Sequence, residues 1–214
     1  MLYELVMKDF VLIKKYMFFI ILVAIGFPVF FGVQNDSSQY GGFILFFIVA
    51  IVIQFVSFSG ASTIEYKSRG SVLLCATPYT RKTQVQAKYL FNLVTFIICF
   101  LIYKTDSLIL PSKVVSVSIS EIGLSLLISS VFFGIFIPAQ YKFGFEKTRI
   151  IFQLSVVALP FILSFIVKLF KGKNITLNLS LPTILQDLLP FIIATIITLI
   201  SMSLSIKIYS NKDL

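Results

Sequence analysis

The 214-residue chain contains no histidine, no tryptophan and only two cysteines. Without histidine it cannot form a Ser-His-Asp or Cys-His nucleophile or the histidine-based zinc site of an intramembrane metalloprotease. Cys75 falls in a predicted loop and Cys99 in a predicted membrane span, which argues against a structural disulfide. The chain also lacks a Gly-x4-Gly-Lys-Ser/Thr motif, so it has no P-loop with which to split ATP. These absences remove the histidine-dependent nucleophiles, the histidine-based zinc site and ATP hydrolysis by a P-loop.

Charged residues are scarce as well, at 13% of the chain, while 58% of the residues are hydrophobic. Soluble domains carry about 25% charged residues. A helix needs ~20 apolar residues to cross the ~30 Å bilayer core, and backbone in lipid has to be helical. We predict an all-α, polytopic membrane protein with six transmembrane helices in a single domain, residues 1–214. The six long uncharged stretches are 16–35, 37–61, 89–103, 122–141, 150–167 and 188–206.

The net charge of +9 follows the predicted membrane topology. With the N-terminus in the cytoplasm, 13 of the 18 Lys and Arg residues fall on the inner side, which is the bias that orients membrane proteins. Both termini are therefore predicted to be cytoplasmic. We attribute the positive charge to topology and to anionic membrane lipid, and we do not expect a nucleic-acid partner.

Residues 1–15 precede the first uncharged stretch and are amphipathic. We predict a helix in the inner membrane interface; a cytosolic extension of the first span is the alternative. The third stretch, 89–103, is short, so we expect Lys88 and Lys104 to snorkel from its ends. Apolar residues recur at helical spacing in the first segment: Leu2, Leu5, Val6, Phe10 and Ile13.

The predicted spans contain no acidic or basic residue that would indicate an ion relay. Their shape is expected to depend on prolines and small residues. A proline frees a backbone carbonyl that a neighbouring helix must satisfy. We expect Ser129, Ser130 and Gly134 to permit close helix contact. In the loop at 104–121, "SKVVSVSIS" predicts an ordered outer segment that packs on the spans. Four prolines lie in or at the ends of spans: Pro28, Pro138, Pro160 and Pro190.

Residues 60–88 form the longest predicted cytoplasmic segment. Within it, residues 62–75 are predicted to be a short helix that Pro78 ends, because the residue before a proline avoids the α conformation. Thr80 is then a suitable N-cap for a helix that continues into span three. A rigid elbow of this kind could transmit force from a partner, but an ordinary basic loop explains the composition equally well. Three charged residues lie close together on the elbow: Glu65, Lys67 and Arg69.

The same segment carries a resemblance to a known family. From Glu65 the chain contains EYKSRG, then LL, then ATPYTR and AKYL, and it opens with MKDFVLIKKY. This pattern, together with the hydropathy plan of the whole chain, resembles the small ABC-2-type permease subunits of bacterial ABC exporters. The hydropathy resemblance covers the whole chain, but only about 40 residues match the family in sequence detail. Within that family the chain looks most like exporters of amphipathic peptides such as phenol-soluble modulins, lantibiotics or bacitracin-type antibiotics.

The resemblance implies a permease in the bacterial plasma membrane that exports an amphipathic peptide, an antibiotic or a lipid-like molecule. The permease itself would not be an enzyme and would bind no metal or cofactor. ATP would be bound by a separate ABC ATPase subunit, and the permease would pair with a second copy or a paralogue. A wall rich in Phe, of which the chain has 24, suits such a substrate better than an ion. Residues 62–79 would be the coupling helix that docks on the ATPase. The coupling residues implied are Glu65, Lys67, Arg69, Gly70, Pro78 and Arg81.

Two other classes of protein stay open. One is a membrane enzyme acting on lipids or prenyl chains, against which the spans offer no clustered acids, cysteines or histidines. The other is an immunity or sensor protein that binds a hydrophobic peptide without transporting it.

Overall fold

The computed structural model describes residues 2–34, 41–68, 80–111, 114–170 and 183–211. Within these ranges all regular structure is helical, and strands are absent. The all-α prediction is therefore confirmed for the described residues. The helices are α1 (Leu2–Gln34), α2 (Gly41–Lys67), α3 (Arg81–Ile109), α4 (Ile119–Phe143), α5 (Phe145–Phe170) and α6 (Thr183–Ser210).

Among the described residues, five helices are long and apolar enough to cross a membrane: α1, α2, α3, α4 and α6. The prediction of a multi-pass membrane protein is confirmed at this level. Helix α5 is 26 residues long, and a sixth crossing stays a prediction.

Helix α1 runs for 33 residues without a break. The amphipathic segment 1–15 thus continues, from Leu2 onward, directly into the first apolar stretch. Its buried face packs against the protein, where Leu5, Val6 and Ile13 join a core cluster with Phe58 and Phe91. An interfacial position for this part of α1 stays a prediction.

Two ends of the helix bundle can be defined from cross-chain contacts. At the Lys88 end, the N-terminal parts of α1 and α3 meet the C-terminal parts of α2 and α6. At the Tyr103 end, the Tyr103 hydroxyl donates to the backbone carbonyl of Val115 at 3.1 Å. Val114 is buried there among side chains of α2 and α3. Residues 114–118 of the predicted outer segment are neither helix nor strand and pack on the bundle, whereas residues 104–109 continue α3. The position of this segment on the outer side of the membrane stays a prediction.

Phenylalanine rings fill the interior. The centroids of Phe136 on α4 and Phe152 on α5 lie 3.7 Å apart. A second group centres on Phe46, whose ring meets those of Phe96 and Tyr103 edge-on. Edge-to-face contacts such as those of Phe46 are a favoured aromatic geometry, so they position α2 against α3.

Close contact between α4 and α6 depends on small residues and on one proline. A Cβ on Gly123 would lie 2.8 Å from Phe191 Cε2, so the approach requires glycine. Pro138 lacks the N–H that would bond the carbonyl of Gly134. The Ser201 hydroxyl of α6 donates to that carbonyl at 2.6 Å. The expectation that a neighbouring helix satisfies a proline-freed carbonyl is confirmed here.

Helix starts follow local capping rules. The predicted N-cap Thr80 is confirmed, because its side chain accepts a hydrogen bond from the Thr83 N–H at 3.2 Å. Ser118 and Glu121 form a capping box at the start of α4, which sequence analysis overlooked although its Ser-x-x-Glu signature is present. Gly144 joins α4 to α5 with φ +87°, a conformation that favours glycine.

Candidate functional site

Four charged side chains form a closed ring at the Lys88 end, which we term the charge ring: Lys8, Asp9, Lys88 and Glu65. Lys88 Nζ lies 2.7 Å from a Glu65 carboxylate oxygen and 3.0 Å from one of Asp9. Lys8 Nζ completes the ring at 3.1 Å from Glu65 and 3.3 Å from Asp9. Each ammonium group thus contacts both carboxylates, and the four charges cancel.

Three members of the charge ring are largely removed from solvent, while the Lys8 side chain is 31% exposed. Side-chain exposure is 1% for Asp9, 10% for Lys88 and 17% for Glu65. A buried charge without a partner is very costly, so mutual pairing is what makes the arrangement possible. Its members come from α1, α2 and α3, and the ring therefore ties these three helices together.

Lys88 corrects one sequence expectation. It was expected to snorkel from the end of a span, whereas the structure buries it between two carboxylates. Sequence analysis also missed Asp9, although a signal exists. Asp9 lies four residues after Leu5 and four before Ile13, and both are buried. An acid on the apolar face of an amphipathic helix indicates a buried ionic partner.

A polar cavity of about 240 Å³ adjoins the charge ring. Its walls include the ring residues together with Ser62, Gln84, Gln140, Tyr141 and Tyr209. Two buried atoms in these walls, Ser62 Oγ and Gln140 Oε1, have no hydrogen-bond partner among the described residues. A cavity of this size has room for several water molecules, and these two atoms could serve as hydrogen-bond partners for them.

Arg81 connects the start of α3 to the end of α6. Its guanidinium donates to the backbone carbonyls of Tyr209 and Ser210 at 3.2 and 3.1 Å. A cation at a helix C-terminus is favourable because the last carbonyls there lack intrahelical partners. The Tyr209 hydroxyl in turn donates to Gln84 Oε1 at 3.0 Å. The charge ring joins α1, α2 and α3, and the contacts of Arg81 and Gln84 with the end of α6 add a fourth helix.

A chain of hydroxyl groups joins α3, α6 and α4 further along the bundle. Ser201 uses its only hydroxyl hydrogen on the Gly134 carbonyl, so it must accept from Tyr89, whose hydroxyl is 2.6 Å away. The Tyr89 hydrogen is then used, and Ser205 must donate to Tyr89 across 2.8 Å. Tyr89 and Gly134 also line an uncharged groove of about 330 Å³, which lies between α2, α3, α4 and α6.

The chain matches the family model described as "ABC-2 family transporter protein" over residues 4–210. The protein belongs to the ABC-2 transporter family. It is thus a multi-pass membrane permease subunit of an ABC transporter, without an ATPase of its own, and its partner is an ABC ATPase subunit. Neither the curated proteins nor the solved structures contain a match.

The structure describes three of the six predicted coupling residues of this permease. Glu65 belongs to the charge ring, Arg81 binds the end of α6, and Lys67, the last residue of α2, is exposed. Glu65 and Arg81 are therefore occupied within the chain, and coupling through them stays a prediction. The other three lie outside the described residues: Arg69, Gly70 and Pro78.

Proposed function

We propose that this ABC-2 permease exports an amphipathic peptide, an antibiotic or a lipid-like molecule from the bacterial cytoplasm, using ATP hydrolysed by a separate subunit. The charge ring is the observation that supports this mechanism most directly. Residues 68–80 connect the end of α2, which carries Glu65, to the first turns of α3, which carry Lys88. The Glu65 and Lys88 side chains pair at 2.7 Å. A displacement of the connecting segment would therefore act on α1, α2 and α3 together.

Residues 62–67, predicted as the start of a separate short helix, are the last residues of α2, because that helix runs without a break to Lys67. In this proposal the coupling segment that docks on the ATPase is therefore residues 67–79. Lys67 is exposed and available for a charged contact. Arg69, Gly70 and Pro78 take the roles implied by the family resemblance: charge, close backbone approach and a fixed elbow. Glu65 and Arg81 relay motion into α1, α3 and α6 through their internal partners. The Lys88 end, with both termini, faces the cytoplasm, and a second copy or a paralogue completes the transport unit.

The experiment is affinity purification of the tagged full-length permease from its native membrane, followed by an ATPase assay. We expect an ABC ATPase subunit to co-purify with ATP hydrolysis. The double variant Lys67→Glu/Arg69→Glu should lower substrate-stimulated hydrolysis about tenfold or more, because charge reversal at an interface acts on both affinity and docking. The control is Lys207→Glu, an exposed charge reversal at the same end of the bundle. Equal activity of both variants contradicts the assignment of the coupling segment.

A second function is supported by the uncharged groove within a single chain. A protein of this architecture could bind a hydrophobic peptide as an immunity or sensor component without moving it. Tight peptide binding by the purified chain, with no ATPase subunit and no ATP-dependent efflux, is the result that favours this function over export.

A further inference from the structure

The uncharged groove opens sideways from the helix bundle. Phe133 and Ala194 among its lining residues are buried. Its rims are exposed, since Leu90 and Leu93 of α3 and Leu199 of α6 are 42%, 44% and 58% exposed. Both α3 and α6 are long and apolar enough to cross a membrane, so these rims face the hydrocarbon of the bilayer. An occupant of the groove therefore enters from the lipid phase.

Several polar groups in the groove walls are already engaged within the chain. Ser129, Thr195 and Thr198 each donate to a backbone carbonyl of their own helix at 2.8 or 2.9 Å. Gln54 is 2% exposed, and its amide nitrogen lies 3.2 Å from the carbonyl oxygen of Asn92. None of the described residues that line the groove carries a charge. The walls thus suit an acyl chain, which forms no hydrogen bonds and gains from contact with apolar side chains.

The groove has the depth of one membrane leaflet. On α3 its lining runs from Gln86, near the Lys88 end, to Phe96, a rise of about 15 Å. This is half of the ~30 Å bilayer core. At Phe96 the ring meets Phe46 edge-on, with centroids 5.8 Å apart. An acyl chain that starts at the Lys88 end therefore reaches the end of the groove near the middle of the bilayer.

A lysine continues the line of the groove toward the Lys88 end. Lys82 lies one helical turn before Gln86 on α3, so the two side chains project from the same face. Lys82 is exposed and forms no ion pair with a carboxylate of the described residues. The Lys88 end is the predicted cytoplasmic end, and the cytoplasmic leaflet carries anionic lipids. A phosphate at Lys82 would place an acyl chain of the same molecule at the groove.

We infer that Lys82 and the uncharged groove form a binding site for one anionic phospholipid of the cytoplasmic leaflet, with its phosphate at Lys82 and an acyl chain in the groove. The lipid is a constituent of the bilayer and not the exported molecule, so the inference goes beyond the proposed export function. The site lies between α3 and α6, which Arg81 and Tyr89 also connect. A bound lipid would therefore support the packing of these two helices.

The chain has no tryptophan, so a single introduced tryptophan can report on lipid in the groove. Leu93→Trp places it on the groove rim. The matched control, Ile98→Trp, places it at an exposed position of the same helix that does not line the groove. The full-length permease is reconstituted into vesicles of phosphatidylglycerol and phosphatidylcholine, and the acyl chains of one of the two lipids are brominated to quench tryptophan fluorescence. Exchanging the brominated lipid gives the preference of each position for the anionic lipid.

We expect the Leu93→Trp reporter to prefer phosphatidylglycerol about fivefold, the effect of one cation beside an anionic head group. The Ile98→Trp reporter should show no preference. Adding Lys82→Gln should abolish the preference at the groove. Lys147→Gln, an exposed lysine of α5, should leave it unchanged, because α5 contributes no residue to the groove among those described.

A second pair of variants tests the acyl-chain part of the site. Thr198→Phe, which fills the groove, should abolish the preference of the Leu93→Trp reporter. Ser203→Phe, at an exposed position of α6 that does not line the groove, should retain it. The comparison is made on proteins whose thermal unfolding midpoint is unchanged. Lys82→Gln, at an exposed position, decides the inference if Thr198→Phe does not fold.

Three results would overturn the inference. An equal preference at the two reporters, or a preference that survives Lys82→Gln, excludes the site. Absence of quenching at Leu93→Trp by either lipid, in a protein with the mass of a dimer, identifies a permease–permease contact in the groove. Relief of quenching by acetyl-Leu-Phe-Leu-amide, but not by unbrominated phosphatidylglycerol, identifies a peptide site instead.

Discussion

Individual charges have unusual weight in a chain where only 13% of the residues are charged. The charge ring pairs two cations with two anions at the Lys88 end, and all but Lys8 are largely removed from solvent. Replacing a whole buried ion pair by apolar residues is often tolerated, whereas removing one partner is not. The ring therefore sets the relative position of α1, α2 and α3 more than it adds to stability, and Asp9, the most buried of the four, is its key residue.

The ring predicts a specific pattern of stability in variants. Lys88→Met leaves Asp9 and Glu65 with a single cation, and we expect the free energy of unfolding to fall by about 3–5 kcal/mol. The double variant Lys88→Met/Asp9→Asn removes one charge of each sign and should recover more than half of that loss. Lys82→Met, at an exposed site on the same helix, should change the free energy by no more than about 0.5 kcal/mol.

Chemical unfolding in detergent micelles checks these expectations. If the double variant is as unstable as Lys88→Met, the loss comes from packing and not from an unpaired charge. If Lys88→Met matches Lys82→Met, the ring does not contribute as described.

The contact between α4 and α6 depends on a glycine and a proline of α4 at defined positions. Gly123 admits the Phe191 ring, and Pro138 opens the helical ladder of α4 where Ser201 can reach the Gly134 carbonyl. The Ser201 hydroxyl then organises Tyr89 and Ser205. The carbonyl freed in α4 thereby joins a chain of hydrogen bonds that connects three helices.

A double-mutant cycle tests this contact. Ser201→Ala in the natural chain should cost about 1–2 kcal/mol of unfolding free energy, because the Gly134 carbonyl loses its donor in an apolar environment. In a Pro138→Ala background the same substitution should cost less, since alanine at position 138 supplies the missing N–H. Equal costs in the two backgrounds contradict the link between the proline and the serine. Ser203→Ala, whose hydroxyl donates only within α6 to the Leu199 carbonyl, serves as the control.

The molecule as a whole has two chemically different ends. The Lys88 end holds the charge ring, the polar cavity and the Arg81 contact with α6. The Tyr103 end is closed by aromatic rings and by the segment around Val114. Such asymmetry agrees with the predicted orientation, in which the Lys88 end meets the ATPase in the cytoplasm and the Tyr103 end faces outward.

Cysteine labelling in intact cells tests this orientation. In a Cys75→Ser background, Cys99 is buried and should not react. A membrane-impermeant maleimide should label Lys104→Cys, near the Tyr103 end, and should label Lys147→Cys, at the start of α5, only after the cells are opened. Both positions are exposed. The opposite labelling pattern would invert the topology and remove the basis for placing the coupling segment in the cytoplasm.

Most of the architecture could be predicted because lipid imposes simple rules. Long uncharged stretches have to be helices, and the Thr80 cap and the carbonyl freed by Pro138 follow from local chemistry. The site was less predictable. Lys88 looks like a flanking lysine, and Glu65 looks like a surface charge, until the fold shows that Asp9 lies between Lys8 and Lys88.

By itself, the sequence determined an all-helical membrane permease, its lack of a nucleotide site and its resemblance to ABC-2 transporters. These properties depend on composition and on short stretches of chain. Only the tertiary structure decided that Asp9, Glu65 and Lys88 form one ring, and that Ser201 reaches the carbonyl freed by Pro138. Asp9 and Lys88 are 79 residues apart in the chain, and Ser201 and Gly134 are 67 residues apart. Which distant groups meet depends on how whole helix faces pack, and no local rule encodes that outcome.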